Sequence, residues 1–382
     1  MEFRINMVYK LIGYLVIVSL LPLLIFAAIS YGVVRDTILE LTTQNSTQLI
    51  NDQRDYLQQQ VIQQIENLSG RISGNESINV ILARAADPAG QARSAFDEMS
   101  SQEQIRISLT LYSNLKGIVS IDIITPNGHR YYVGDTLAVS PVSEKVSTEM
   151  MQSAQADPNP VHWLGVVDNL NTESPSVKVL SAVKVFRRFI TSTQSTVTTG
   201  MLIINYSTDV LHDHFSQTDL GPDSSIYILD RQGRMIFTPE ATRIGAMAPD
   251  NLRQHVRLAK GSSVIRFKDK ESLVTSAKLE KESWNVVGIV PKDTLLAPMK
   301  RLTQVLLTLI VLSFGVIFLA SQYFRKSMVA PIQAISDGFR RLYNRNIKVV
   351  EHLPVPKTND EISDLVEWFN TFLDTHAMRL KY

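Results

Sequence analysis

The sequence predicts an α+β protein in which two membrane-spanning helices bracket a large region of helices and antiparallel strands, with a helical coiled-coil tail at the end. Three observations lead there. Two uncharged apolar stretches, Leu11–Val34 between Lys10 and Arg35 and Leu302–Phe324 between Arg301 and Arg325, would each form a helix. Each helix would be about 35 Å long, enough to cross a hydrocarbon core of about 30 Å. Between them, short alternating apolar segments are punctuated by turn residues such as Pro126-Asn127-Gly128 and Asp230-Arg231-Gln232-Gly233. After the second stretch, apolar residues recur at spacings of three and four.

Composition narrows the function classes. The net charge is +1 and no Lys/Arg block is interleaved with aromatics, so no nucleic-acid partner is expected. The chain has no cysteine, which removes disulfides, thiolate metal sites and cysteine nucleophiles. His212-Asp213-His214 does not suggest a metal site, because consecutive side chains diverge on a helix or a strand. No glycine-rich phosphate loop, His-Glu-x-x-His or Gly-x-Ser-x-Gly motif occurs. Neither a cofactor nor a catalytic site is therefore expected in this chain.

The first apolar stretch is longer than the roughly 7–15 residues of a signal-peptide core and reads as an uncleaved anchor. Pro22 inside it is tolerable in a membrane helix, where neighbours re-satisfy the freed carbonyl. Asp36 to Leu68 lacks proline and glycine and carries a sparse stripe at Ile38, Leu41, Leu49, Tyr56, Val61, Ile65 and Leu68, the pattern of a long helix continuing out of the membrane. Gly70 to Gly74 should interrupt it. Strands are expected at Ile118–Thr125, His129–Val133, Val177–Phe186 and Gly200–Tyr206, with an irregular excursion through Trp163. A shorter repeat of this pattern follows at Ser225–Leu229, Arg234–Phe237, Ser262–Phe267, Leu273–Lys278 and Asn285–Val290. Ile124-Thr-Pro-Asn-Gly and Leu229-Asp-Arg-Gln-Gly hold the same place in the two halves, which suggests an internal duplication.

Tyr227-Ile-Leu-Asp230-Arg-Gln-Gly233-Arg-Met-Ile, then Arg243-Ile-Gly245, Glu271-Ser-Leu-Val-Thr-Ser-Ala-Lys and Trp284-Asn-Val-Val-Gly-Ile-Val-Pro291 give residues 36 to 296 a family likeness. This region resembles a double Cache sensor domain. The resemblance implies a long stalk helix (35–69) carrying two PAS-like antiparallel-sheet modules, distal (70–210) and membrane-proximal (211–297). It also implies a small-molecule periplasmic ligand in the distal module. Amino-acid binders of that family carry an Arg-x-Trp-Tyr pattern, whereas Val161-His162-Trp163-Leu164 keeps only the tryptophan and lacks the carboxylate-clamping arginine. The candidate ligand-binding residues are Tyr132, His162, Trp163 and Asp168, as an aromatic wall with polar groups. The competing reading puts Trp163 in the core and His162 and Asp168 on the surface.

In the tail, Met328, Ile332, Ile335, Phe339 and Leu342, and then Ile362, Leu365, Phe369, Phe372 and His376, form two seams at three-four spacing. Asn344, Asn346, Pro354 and Pro356 prevent a helix throughout Tyr343–Asn359, and Asn359-Asp360-Glu361 can start the second helix. Helices this short are marginal alone, so a homodimeric parallel four-helix bundle is expected. Pro331-Ile332, Asp360-Glu361-Ile362-Ser-Asp-Leu365 and Trp368-Phe369-Asn370 make the tail resemble a HAMP domain. Asn344 or Asn346 replaces that family's connector glycine. The signal-transmission residues implied are Pro331, Ile332, Ile335, Phe339, Asp360, Glu361, Ile362, Leu365 and Phe369.

Loop charge biases orientation only slightly, with Arg4, Lys10, Arg325, Lys326, Arg340 and Arg341 on one side and Arg35, Arg54, Lys292, Lys300 and Arg301 on the other. The HAMP resemblance implies a bacterial inner-membrane protein with a periplasmic sensor and both termini cytoplasmic. The chain then divides as 1–10, transmembrane 11–34, periplasmic 35–300, transmembrane 301–324, HAMP 325–376 and a signalling linker from 377 to 382. The expected function is a transmembrane receptor that passes a ligand signal to an output domain absent from this chain. Arg379-Leu380-Lys381-Tyr382 resembles the linker to a GGDEF domain, often followed by an EAL domain, hence cyclic-di-GMP synthesis or breakdown. A histidine kinase, a methyl-accepting chemoreceptor and a tethered binding module without enzymatic output are the alternatives.

Overall fold

Three-four spacing of apolar residues beyond the first apolar stretch produces a long helical run. In the computed structural model, which describes residues 7–86, 95–157, 159–190, 194–258, 261–343, 352–356 and 360–379, α1 (Met7–Tyr56) passes through Pro22 without ending. A π-helical turn, Leu57–Ile62, follows, and then α2 (Gln63–Ser73). The Gln63 amide reaches the Gln58 carbonyl five residues back, which inserts one residue and rotates the apolar stripe. Its buried members are therefore Ile50, Leu57, Val61, Ile62, Ile65, Leu68 and Ile72, while Leu41 is exposed and Leu49 and Tyr56 are only partly covered. Gly70 does not interrupt the helix. Open space surrounds it, and α2 ends at Ser73.

Residues Ile38–Leu295 form one of two compact units. After α3 (Glu76–Ala86) and α4 (Ala95–Ser113), the strands β1 (Ile118–Ile124), β2 (Arg130–Gly134), β3 (His162–Asp168), β4 (Lys178–Ile190) and β5 (Ser195–Ser207) form an antiparallel sheet of order β2-β1-β5-β4-β3. Helix α5 (Glu144–Ala156) connects β2 to β3. After α6 (Thr208–Ser216), the strands β6 (Ser225–Leu229), β7 (Met235–Phe237), β8 (Ser262–Phe267), β9 (Lys270–Leu279) and β10 (Trp284–Pro291) repeat the same order, β7-β6-β10-β9-β8. Helix α7 (Asp250–Leu258) links β7 to β8, and α8 (Lys292–Leu295) closes the unit.

The irregular excursion expected through Trp163 is strand β3. Its register against β4 shifts between Trp163 and Gly165, where Gly165 has φ +75°, so the bulge hides the period-two pattern. A Cβ at Gly165 would lie 2.6 Å from Asp230 Oδ2, so glycine is what lets β3 approach the second sheet. There Arg234 donates to Asp230 Oδ2 through Nε at 2.7 Å and to the Leu164 carbonyl through Nη2 at 2.6 Å.

The other unit is Met1–Thr37 with Leu296–Tyr382. The helical runs Val16–Ser73 and Ala297–Arg341 each contain a stretch long and apolar enough to cross a membrane. The second comprises α9 (Ala297–Phe324), a π-helical turn at Arg325–Val329 and α10 (Ala330–Tyr343). Pro331 offers no N–H to the Ser327 carbonyl, which accounts for the widened turn just before it. Helix α11 (Glu361–Arg379) starts where Asp360 Oδ1 accepts from the Ser363 amide at 3.1 Å.

Ile335 packs with Val366, Phe369 and Leu373, and Leu353 joins them. The Leu353 amide and carbonyl both bond to the Asn370 side chain, at 2.9 and 2.8 Å. A Cβ at Gly338 would lie 2.5 Å from the Phe369 ring, so this glycine lets the ring seat against α10. Ile332 and Ile362 are half-buried, and Leu365, Phe372 and Phe339 are exposed. The intrachain face of α11 is thus Val366-Phe369-Leu373, one residue round from the expected Ile362-Leu365 line. Asn344, Asn346 and Ile347–Val350 fall outside the described residues.

His214 on α6 stacks on Tyr56 with ring centroids 3.5 Å apart, and its Nε2 lies 3.2 Å from Gln53 Oε1. Burial, with Lys116 adding to it, pushes the His214 imidazole below its ordinary range, and burial does the same to His255. A depressed histidine favours the folded state above its unfolded value of about 6.5 and loses that contribution as pH falls through the folded value. Melting temperature should therefore drop on acidification below about pH 6.5. A His214→Phe variant, which keeps the stack, should show a shallower drop in a pH series of thermal melts.

Candidate functional site

Alternation in β1 sends Ile121 and Ile123 towards the stalk side of the first sheet and Ser120, Asp122 and Ile124 to the opposite face. The neighbouring strands divide the same way. Leu180, Ala182, Leu202 and Ile204 join the stalk core, while Val183, Met201 and Ile203 pack with Ile124 beneath Met150, Met151 and Ala154 of α5. A strand pattern that reads as half exposed is thus buried on both faces. The polar residues on the far face must satisfy one another.

They do so through a network centred on Asp122, which is 0% exposed. Arg130, at the start of β2, donates from Nε to Asp122 Oδ1 at 2.7 Å and from Nη1 to the Ser140 carbonyl at 2.5 Å. Ser120 Oγ donates to Asp122 Oδ2 at 3.2 Å, Asn205 Nδ2 donates to Ser120 Oγ at 2.8 Å, and Ser181 Oγ donates to Asn205 Oδ1. Burial pushes the Asp122 carboxyl above its ordinary range, against the pull of the Arg130 cation. Arg130 Nη2 lies 2.7 Å from Asp122 Oδ1 but lacks hydrogen-bond alignment, and it is buried without a hydrogen-bond partner among the described residues.

Asn171 fastens the covering loops. Its Oδ1 accepts from the Ser140 amide at 2.9 Å and its Nδ2 donates to the Ala138 carbonyl at 2.9 Å. Beside this network lies a cleft of about 850 Å³ lined by Ile124, Arg130, Ser140, Thr148, Met151 and Gln152, among others. Its size and its mixed lining suit a small organic ligand, with Arg130 available to an acceptor group.

A family model described as Cache domain (dCache_1) matches residues 35–299, more than half of the chain. The chain belongs to the Cache domain family. A curated relative, the sensor histidine kinase YesM of Bacillus subtilis (strain 168), is 21% identical over 314 residues, covering 82% of this chain and 51% of its own length. The chain thus spans about half the length of that relative. Among solved structures, the ligand-binding domain of Mlp24 with asparagine matches with TM-score 0.49 and 14% identity, covering 70% of this chain and 99% of that one. The ligand-binding domain of the Pseudomonas fluorescens chemoreceptor CtaA with L-isoleucine gives 0.45 and 15%, covering 69% and 98%. That of the Campylobacter jejuni chemoreceptor Tlp3 with L-valine gives 0.43 and 12%, covering 68% and 97%.

Within the Cache domain, the four residues singled out from sequence do not converge. Tyr132 on β2 stands opposite Asp122 and belongs to the network, with the Arg130 guanidinium 5.3 Å from its ring centroid. Its hydroxyl donates to Asp135 Oδ1 at 3.3 Å, and burial raises its phenol. The other three lie on β3, at the far edge of the sheet. His162 holds α5 in place, with Nδ1 2.6 Å from Asp157 Oδ2 and Nε2 2.9 Å from Ser153 Oγ. Trp163 faces the stalk core and meets Trp284 edge-on at 5.2 Å. Asp168, with a side chain 79% exposed, pairs with Lys178 at 2.8 Å and takes no part in the site.

Asp122, Arg130, Ser181 and Asn205 were not singled out from sequence. The hairpin register around Asn127-Gly128 held one signal, because it sets Asp122 opposite Tyr132 and Arg130 one pair away on the same face.

Arg130→Met would strand a buried carboxylate and Asp122→Asn a buried guanidinium, so each should cost about 3 kcal/mol. The double variant should cost at least about 1 kcal/mol less than the sum. Denaturant unfolding of the four proteins measures this coupling.

Proposed function

We propose that this chain is the sensory part of a bacterial transmembrane receptor whose first-sheet cleft binds a small ligand bearing a carboxylate or similar acceptor. The observation that carries this reading is Arg130, buried at the cleft, whose Nη2 lies beside Asp122 Oδ1 but makes no hydrogen bond among the described residues. The first sheet corresponds to the distal module and the second to the membrane-proximal one. Because the solved domains of Mlp24, CtaA and Tlp3 hold amino acids, amino acids belong among the compounds to test. The missing arginine at 161–164 weighs less once Arg130 is seen on β2.

The two apolar helices flanking the Cache domain support a membrane location, with the sensor outside the inner membrane and both termini cytoplasmic. The tail acts as a HAMP unit. Its support is the Ile335–Phe369 packing together with a second apolar line, Leu365, Trp368 and Phe372, left exposed on α11. A second copy covering that line would complete a four-helix bundle and make the receptor a homodimer. The output is phosphotransfer of the histidine-kinase type. The likeness to YesM covers 82% of this chain and so reaches beyond the Cache match. Cyclic-di-GMP chemistry rests on the four terminal residues Arg379–Tyr382 alone.

A panel of amino acids, polyamines, carboxylates and nucleobases should contain a carboxylate that raises the melting temperature of the chain in nanodiscs. At a hundredfold excess over Kd the stabilisation is about 2.7 kcal/mol, roughly 5–10 °C for a domain of this size. Thr148→Phe, which fills the cleft mouth, should remove the shift. A panel without a stabilising member, or a shift unaffected by Thr148→Phe, would sink the assignment of the cleft.

Ile335→Asp should lock or abolish output in the full-length receptor while leaving ligand affinity unchanged. An unaltered output response would rule out the HAMP reading.

A further inference from the structure

On the stalk side of the first sheet, a cavity of about 50 Å³ lies between β3, α2 and the turn joining β9 to β10. The turn supplies Lys281 and Glu282, α2 supplies Glu66, and Trp163 and Trp284 form the walls. Lys281 Nζ is taken by Glu66 Oε1 at 2.5 Å. Asp157, also at the cavity, is held by His162. Glu282 is 8% exposed, and neither of its carboxylate oxygens has a hydrogen-bond partner among the described residues. The indole N–H of Trp163 is likewise buried and unpartnered. Buried polar groups are almost always satisfied, so one orphaned acceptor and one orphaned donor in the same cavity call for an occupant that supplies both complements.

We propose that this cavity binds a small primary ammonium compound that also carries a hydrogen-bond acceptor, of the amino alcohol class. The ammonium group supplies donors to Glu282 and lies against the aromatic faces of Trp163 and Trp284. The hydroxyl oxygen accepts from Trp163 Nε1. A volume of about 50 Å³ restricts the occupant to a few heavy atoms, and ethanolamine is among the smallest molecules that carry both groups. Three carboxylates at the cavity face Lys281, already paired, and the exposed Arg231, so the balance favours a cation. Burial, with the neighbouring Glu66 charge adding to it, raises the Glu282 carboxyl against the pull of its own backbone amide and of Lys281, and no side chain supplies it a donor among the described residues. This site lies on the opposite sheet face from the Arg130 cleft and does not rest on the reading of that cleft.

The chain has three tryptophans, two of them in this cavity, and Trp368, which is 70% exposed, is the third. In a Trp368→Phe background of the full chain in nanodiscs, indole emission therefore reports on the cavity. Ethanolamine hydrochloride at mildly alkaline pH should change that emission saturably, and sodium chloride of equal ionic strength should not. Propylamine, of the same size but without the acceptor, should need at least tenfold more for half-saturation, as should ethanolamine with Glu282→Gln. Thr148→Phe should leave the ethanolamine response intact, which separates this site from the cleft. Glu282→Gln should melt no lower than its parent without amine, since it removes an uncompensated buried charge. The proposal is overturned by no saturable response, by an unchanged response in Glu282→Gln, or by a lower melting temperature of that variant.

Discussion

Ile50, Leu57, Val61, Ile62, Ile65, Leu68 and Ile72 lie on one helical run and are almost inaccessible to water. The cluster that buries them contains Ile121, Leu180 and Leu202 of the first sheet and Ile228, Ile236 and Val286 of the second. Each such side chain contributes about 1.5–3 kcal/mol of burial, and neither five-stranded sheet could bury its apolar face on its own connections alone. The stalk is therefore a shared wall of both sheets. The π turn at Leu57–Ile62 is what keeps the stripe in phase along that wall, presenting Leu57, Val61 and Ile62 together. The stacked pair Tyr56–His214 stands immediately before it.

With one face of the first sheet given to the stalk, the proposed ligand cleft has only the other to occupy. That face is closed by α5, which packs through Met150, Met151 and Ala154 and bonds through Ser153 to His162, and by loops pinned through the exchangeable polar contacts of Asn171. Such a cover can be remodelled at lower cost than the stalk side, which suits a binding face. The buried Asp122–Arg130 pair fits the same logic. An ion pair in a dry site adds little net stability, but it fixes the guanidinium where a ligand acceptor can reach it.

The strongest periodic signals in the sequence were legible: both apolar spans, the β1–β2 hairpin, and all five strands of the second sheet. Strand β3 was hidden because Gly165 adopts a left-handed conformation and breaks the alternation. The phase of the stalk was misplaced because a π turn adds a residue that three-four counting cannot see. Period two assigns Ser120 and Asp122 a common face but not what covers it, so their burial beneath α5 and its loops could not be read. Trp163, expected either in the ligand wall or in the core, packs against the stalk core and Trp284, partners about 120 residues apart in sequence. Only the fold brings them together.

Strand β3 then gains a particular importance. Among the described residues it is an edge strand, paired with β4 alone, and edges are the least constrained members of a sheet. Yet its successive residues reach three different places. His162 holds α5 over the cleft side of the sheet, Trp163 walls the cavity against Trp284, and Leu164 and Gly165 meet Arg234 and Asp230 of the turn between β6 and β7. A ligand that displaces α5 must work against the His162 bond. A shift of β3 by a fraction of an ångström would be met by a close-packed junction with no slack at Gly165. Packed interfaces of this kind switch between discrete arrangements and do not deform continuously. Coupling of about 1–3 kcal/mol between the proposed cleft and the second sheet would bias such a two-state junction usefully, and β3 is a continuous physical route on which it could be carried.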